Sequence, residues 1–123
     1  MKYKNFEFFN NDTELIGIYN ELIRQLEILP KMTIKKRNTF DHMVVLCNRR
    51  NFAYLSLLDS EGVFMSEGFR IIFGLNHIIS DNRIQAVTEP HAGRFSHHVT
   101  IKTINDIDGQ LLEWLKKAYE TAK

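Results

Sequence analysis

Apolar positions near both ends of the chain recur at the spacing of an α-helix. In residues 12–29, leucine and isoleucine return every three or four positions with charged residues between them, which predicts an amphipathic helix that stops at Pro30. A second stripe follows Asn105, which can cap a helix whose first turn carries Asp106 and Asp108. The members of this stripe are Ile107, Leu111, Trp114, Leu115, Ala118 and Ala122. The pattern therefore predicts one helix at each end of the chain.

The part of the chain between these helices has the apolar runs and alternations of β-strands. A valine-rich run at 42–47 and a β pattern at 52–58 predict a hairpin. Other predicted strands are 69–75, 95–102, a weaker segment at 82–89 and a short one at 32–35, with a long loop at 59–68. Because no helix separates successive strands, we expect an α+β fold: a mostly antiparallel sheet of about five strands with both helices on one face.

Length and composition narrow the class of protein further. The chain has 123 residues, 44% of them hydrophobic and 25% charged, which suits one globular domain over residues 1–123 with an ordered core at about 12–122. The same figures exclude a disordered chain, a fibrous repeat and a disulfide scaffold. The formal charge of +1 gives no whole-molecule field that would imply nucleic-acid or membrane binding.

Targeting signals are not evident in the sequence. Cys47 is the single cysteine, so no internal disulfide can form, which suits a reducing compartment. Residues 1–10 are basic and aromatic and lack the apolar run of a signal peptide. No stretch approaches the length of a membrane span. We therefore expect a cytoplasmic protein with no membrane partner.

The densest polar cluster lies at residues 89–98, which hold three of the five histidines. Strand alternation places His97 with Val99, towards the core, and His98 with Arg94, on the opposite side. A guanidinium and imidazoles suit recognition of an anion. The predicted ligand-binding residues are Arg94, His98, His91, Asn76 and His77. The leading hypothesis is a non-catalytic binding module for an anionic small molecule or a protein partner.

Four of these residues also have a purely structural interpretation. Arg94 could form an ion pair with Glu89 or Asp81, and His98 could be solvated. Asn76 and His77 follow a predicted strand and could simply shape a turn.

A second hypothesis rests on the basic segment 35–50. From Arg24 to Arg50, seven Lys or Arg oppose two acidic residues, Glu27 and Asp41, a local charge of +5. The residues that could contact phosphates are Lys35, Lys36, Arg37, Arg49 and Arg50, with Phe40 and Phe52 placed to stack on bases. The alternative is a solvated face. This hypothesis describes an accessory nucleic-acid-binding domain.

A third hypothesis is a small enzyme or metal carrier built on His91, His97 and His98. Adjacent strand residues point to opposite faces, so His97 and His98 cannot easily hold one ion. The chain has no phosphate-binding glycine loop, nucleophile elbow or zinc-binding helix motif. We therefore predict no catalytic residue, no metal and no cofactor. Whether the protein is an enzyme stays an open question at this point.

The C-terminal half also resembles a known family. The motif runs Gly93-Arg94-Phe95-Ser96-His97-His98-Val99 and continues with Asp108, Leu111, Trp114-Leu115 and Ala118-Tyr119, preceded by Phe73-Gly74-Leu75 and Arg50-Asn51-Phe52-Ala53. With Phe95 in the place of a tryptophan, this resembles a bacterial family of domains of unknown function. The resemblance spans roughly residues 12–122. It implies a small α+β domain, in some proteins fused to domains similar to nucleases, and it implies no activity.

Overall fold

The computed structural model describes residues 13–37, 43–58, 61, 63, 65 and 67–122, without the side chains of Lys36, Arg37 and Met43. Its elements are α1 (Thr13–Leu26), β1 (Thr33–Arg37), β2 (Met43–Cys47), β3 (Asn51–Ser56), β4 (Phe69–Leu75), β5 (Ala86–His91), β6 (Arg94–Ile101), a 3₁₀ turn (Ile104–Asp106) and α2 (Gly109–Thr121). The expected α+β class is confirmed, with six strands rather than about five. Phe40, which is predicted to stack on bases, lies outside the described residues.

The six strands form one antiparallel sheet in the order β1-β2-β3-β4-β6-β5. Strand β6 is therefore paired on both sides, with β4 and with β5. In this register Ile71 lies opposite Val99 and Phe73 opposite His97. The sheet thus fixes the direction of every side chain in the 94–101 segment, because alternate residues of a paired strand face opposite sides.

Both helices share one hydrophobic core with the inward side chains of β2, β3, β4 and β6. Trp114 of α2 is only 6% exposed and stacks on Phe73 with 5.8 Å between ring centroids. The predicted docking of this helix on the sheet is confirmed. We call the face that meets the helices the inner face and the opposite one the outer face.

Several predicted boundaries are wrong by a few residues. Helix α1 ends at Leu26 rather than Leu29, because the next turn is tightened by i→i−3 backbone bonds such as Leu29 N–H to Leu26 O. The cap of α2 is Asp108, whose carboxylate accepts from Leu111 N–H at 3.0 Å. Asn105 is not that cap, because it lies within the 3₁₀ turn before the helix.

One glycine is required where the chain enters β4. Gly68 has φ +76°, and a Cβ there would collide with the backbone of Ile101, so only glycine fits at this position.

Neither helix found in the described ranges combines the length and the apolar character that crossing a bilayer requires.

Candidate functional site

His97 is fully buried on the inner face, as strand alternation predicts. Its Nδ1–H donates to Phe95 O at 3.2 Å and its Nε2 accepts from Ile79 N–H at 3.0 Å, a pattern that requires the neutral ring. Its ring also stacks on Phe73 at 5.2 Å. Burial, which penalises the imidazolium, lowers the pKa of His97. His97 therefore serves the structure, tying the chain after β4 to the sheet.

The outer face carries a cavity of about 340 Å³. It lies near the start of β6, beside the turn that joins β5 to β6. Its lining comes from β3, β4, β5, β6 and the β2–β3 turn. The lining residues are Arg50, Asn51, Phe52, Tyr54, Ile72, Gly74, Pro90, His91, Arg94, Phe95 and Ser96. Within the described part of the chain, no Asp or Glu lines this cavity.

Arg94 is the charged side chain that β6 directs into this cavity. It is half-buried, and its buried Nε has no hydrogen-bond partner among the described residues. Neither anticipated acid forms an ion pair with it. Glu89 Oε2 accepts from Gly93 N–H at 3.0 Å, and Asp81 accepts from Arg83 N–H and Gln110 Nε2. The guanidinium is thus partly desolvated without a neutralising carboxylate.

Gly74 makes the room that Arg94 occupies. A Cβ at this position would lie 3.3 Å from Arg94 Nη2, closer than an ordinary van der Waals contact. The guanidinium therefore lies across the backbone of β4, where any larger residue would crowd it. No pattern in the sequence predicts a functional role for Gly74, although a glycine inside a strand is a known sign of a close approach by another group.

Arg50, in the turn between β2 and β3, lines the same cavity. This turn also forms hydrogen bonds with the C-terminal end of α2. Its Nη2 donates to Thr121 O at 2.9 Å and its backbone N–H to Ala122 O at 3.0 Å. Asn48 Nδ2 donates to Tyr119 O at 3.0 Å. Cations and donors at a helix C-terminus satisfy its free carbonyls and complement its dipole. Part of the basic segment therefore stabilises the fold.

Of the other residues of the basic segment, Arg49 lies in this same turn, whereas Lys35 lies on β1. Lys35 and Arg49 are exposed, and Lys35 is paired with Val45 in the middle of β1. The side chains of Lys36 and Arg37 lie outside the described residues. The phosphate-contacting role of 35–50 stays a prediction.

His98 lies on the outer face with Arg94, as alternation predicts, but it lines a second cavity. That cavity measures about 440 Å³ and is lined by Met65, Arg70, Gln85, Ala86, His98, Thr100 and Lys102. Burial lowers the pKa of His98, and the charge of Arg70 lowers it further. The predicted pairing of Arg94 with His98 within one pocket is therefore not what the geometry gives.

The remaining predicted residues divide in the same way. His91 joins Arg94 in the first cavity. Asn76 and His77 are exposed in the turn after β4, where Asn76 Oδ1 lies 2.9 Å from His77 Nδ1, and they line neither cavity. Across the described ranges, no group of three or more His, Cys, Asp or Glu is arranged to hold a metal ion.

Comparison with known proteins gives one relationship. A model of the family "Domain of unknown function (DUF5655)" matches residues 7–122, nearly the whole chain. No curated protein and no solved structure matched it. The resemblance to a family of domains of unknown function is confirmed. The chain belongs to the domain family of unknown function DUF5655.

Proposed function

We propose that the protein is a non-catalytic binding module that holds an anionic group in the outer-face cavity at Arg94. The anion belongs to a small molecule or to a partner macromolecule. A guanidinium binds a carboxylate or phosphate through two parallel N–H···O bonds, which give both affinity and orientation. His91 and Arg50 line the same cavity, and the guanidinium of Arg50 adds a second fixed positive charge.

The observation that carries this proposal is the unpartnered Nε of Arg94. A buried donor without a partner costs about 1 to 3 kcal/mol, and more when the group is charged. The neighbouring acids that could have neutralised it are engaged elsewhere: Glu89 with Gly93 and Asp81 with Gln110. A bound anion would supply the missing acceptor, so the cost borne by the free protein becomes affinity for the ligand.

Binding without catalysis is favoured because no hydroxyl group lining the cavity is hydrogen-bonded to a base in the described structure. Nucleophilic catalysis needs a hydroxyl or thiol within hydrogen-bond reach of a base. The lining offers Ser96, Tyr54 and His91, and no hydrogen bond joins any two of them in the described structure. Cys47 is buried, and its Sγ–H donates to Asn51 Oδ1 at 2.9 Å.

The test is an NMR titration of the protein with inorganic phosphate at constant ionic strength. We expect saturable shifts of the Arg94 Nε–Hε and His91 ring signals in the wild type. In Arg94→Gln the remaining site should lose at least about tenfold in affinity, since a charged hydrogen bond contributes about 1.5 to 3 kcal/mol. Lys117→Gln, an exposed site on α2, is the matched control and should titrate like the wild type.

Two results would overturn the proposal. One is phosphate binding by folded Arg94→Gln that equals binding by the wild type. The other is the absence of any saturable shift with phosphate and with acetate, the simplest carboxylate probe. A urea titration of Arg94→Gln shows whether the variant is folded. Arg94→Lys keeps the charge and loses the planar guanidinium, so its phosphate affinity should lie between those of the wild type and Arg94→Gln.

A further inference from the structure

The two outer-face cavities adjoin along β6. Arg94 and Ser96 line the first, and His98 and Thr100 line the second. Successive outward residues of a strand are only about 6.6 Å apart, and Ile72 of the first cavity is paired with His98 of the second. The two cavities are therefore neighbours on the outer face, and we call the two together the outer trough. From Arg94 to Thr100 it extends about 20 Å along the strand.

Positive charge is concentrated at both ends of the outer trough. Arg50 and Arg94 line one end, and Arg70 and Lys102 line the other. Of the residues that the structure describes, no Asp or Glu lines either cavity, although the chain has 15 acidic residues and a net charge of only +1. Low-dielectric walls that carry charge of one sign focus the field and attract an oppositely charged ligand.

The middle of the outer trough is apolar and aromatic rather than charged. Tyr54 and Ile72 lie side by side there, since they are paired between β3 and β4. Next to Ile72 stands the ring of His98, half-buried. Such a floor suits a ligand that has planar or apolar groups between its anionic groups, and it offers nothing to a bare chain of phosphates. Aromatic side chains interleaved with cations are typical of surfaces that bind single-stranded nucleic acid.

We propose that the outer trough binds a single-stranded nucleic acid of about four nucleotides. One phosphate lies at Arg94 and another at Lys102, and a base stacks on Tyr54. This inference rests on the proposed function, because the anion at Arg94 is then one phosphate of that strand. It assigns the second cavity to the same ligand and names the ligand's class.

The experiment measures binding of a labelled oligothymidylate of about eight nucleotides by fluorescence anisotropy at several salt concentrations. We expect Arg94→Gln and Lys102→Gln each to weaken binding about three- to tenfold and to lower the salt slope by up to about one. Tyr54→Leu should weaken it about fivefold or more and leave the slope unchanged, since stacking on one base contributes at least about 1 kcal/mol. Lys35→Gln and Lys117→Gln are the controls, each removing one exposed lysine outside the trough.

The outcomes separate this inference from the proposed function. If phosphate binding depends on Arg94 but Lys102→Gln and Tyr54→Leu leave oligonucleotide binding unchanged, the inference fails and the anion site stands. If Arg94→Gln alters neither phosphate nor oligonucleotide binding, both fail. The inference also fails if Lys35→Gln has the larger effect, which would assign binding to the basic segment, or if inorganic polyphosphate binds as tightly as the oligonucleotide.

Discussion

The two faces of β6 treat two neighbouring histidines in opposite ways. His97 on the inner face has partners on both ring nitrogens and an aromatic ring stacked on it. His98 on the outer face lines an open cavity beside Arg70. The two residues have the same chemistry and adjacent positions, so the difference comes from strand alternation alone. Composition had drawn attention to a histidine cluster, and the structure divides that cluster into a core residue and a surface residue.

The same contrast holds for the polar groups of the two faces. On the inner face, His97 is fully buried, and both of its ring nitrogens are hydrogen-bonded. On the outer face, Arg94 Nε is buried and has no partner in the described structure. Proteins rarely leave a buried donor unpaired without a reason, since doing so costs stability. The inner face is thus arranged for stability, and the outer face retains groups that a ligand can satisfy.

The largest expected effect lies on the inner face, at Trp114. Truncation to alanine removes a ring that stacks on Phe73 and leaves a cavity beside it. We expect Trp114→Ala to lower the free energy of unfolding by about 3 to 5 kcal/mol, a large fraction of the stability of a domain this size. Urea titration followed by circular dichroism measures it. A loss under about 1 kcal/mol would mean that α2 does not dock as described.

The next effect compares the two histidines directly. His97→Ala should cost about 2 to 3 kcal/mol, because it removes the ring stacked on Phe73 and leaves Ile79 N–H without its acceptor. His98→Ala should cost less than about 1 kcal/mol, since that ring is half-buried in an open cavity. Equal losses from the two variants in urea titration would contradict the division of the faces.

The pH dependence of stability sharpens the same comparison. The folded pKa of His97 lies below its usual value of 6.5, so near that pH the unfolded chain binds more protons than the folded one. Its contribution to stability is then fully present above about pH 6.5 and is lost as pH falls from there towards the folded pKa. His98 acts with the same sign. His97→Gln and His98→Gln should each flatten the slope of unfolding free energy between about pH 6.5 and 5.

Local patterns in the sequence predict most of the elements of this fold. The stripe at Leu111, Trp114 and Leu115 fits an amphipathic helix, whereas the apolar runs of β2, β3 and β4 are too short for helices. The prediction of a strand at 82–89 starts a few residues before the observed β5. The chain forms a turn there instead, in which Asp81 accepts from Arg83 N–H and Ile84 N–H donates to Asp81 O. Such a competition between turn and strand depends on hydrogen bonds that periodicity does not register.

The candidate site was less predictable than the fold, for a geometrical reason. Alternation correctly assigned Arg94 and His98 to one face, but four residues of strand separate them by about 13 Å, so they line different cavities. The neighbours of Arg94 come from other strands: Gly74 from β4 and Tyr54 from β3. Which residues lie side by side depends on the register between strands, and a single sequence does not give that register.

The smallest expected change in stability, with a selective effect on the outer face, is at Gly74. The added methyl group of Gly74→Ala would meet Arg94 Nη2 at 3.3 Å, so the flexible guanidinium has to move by a few tenths of an ångström. We expect the unfolding free energy to change by less than about 1 kcal/mol, while phosphate affinity falls about three- to tenfold as Arg94 loses its orientation. Gly17→Ala is the matched control, because nothing lies within 4 Å of its added Cβ. It should raise stability by up to about 1 kcal/mol as a helical alanine and leave phosphate binding unchanged. Phosphate titration and urea unfolding of both variants provide the comparison. If Gly74→Ala binds phosphate as the wild type does, the position of Arg94 over β4 is not what makes the anion site.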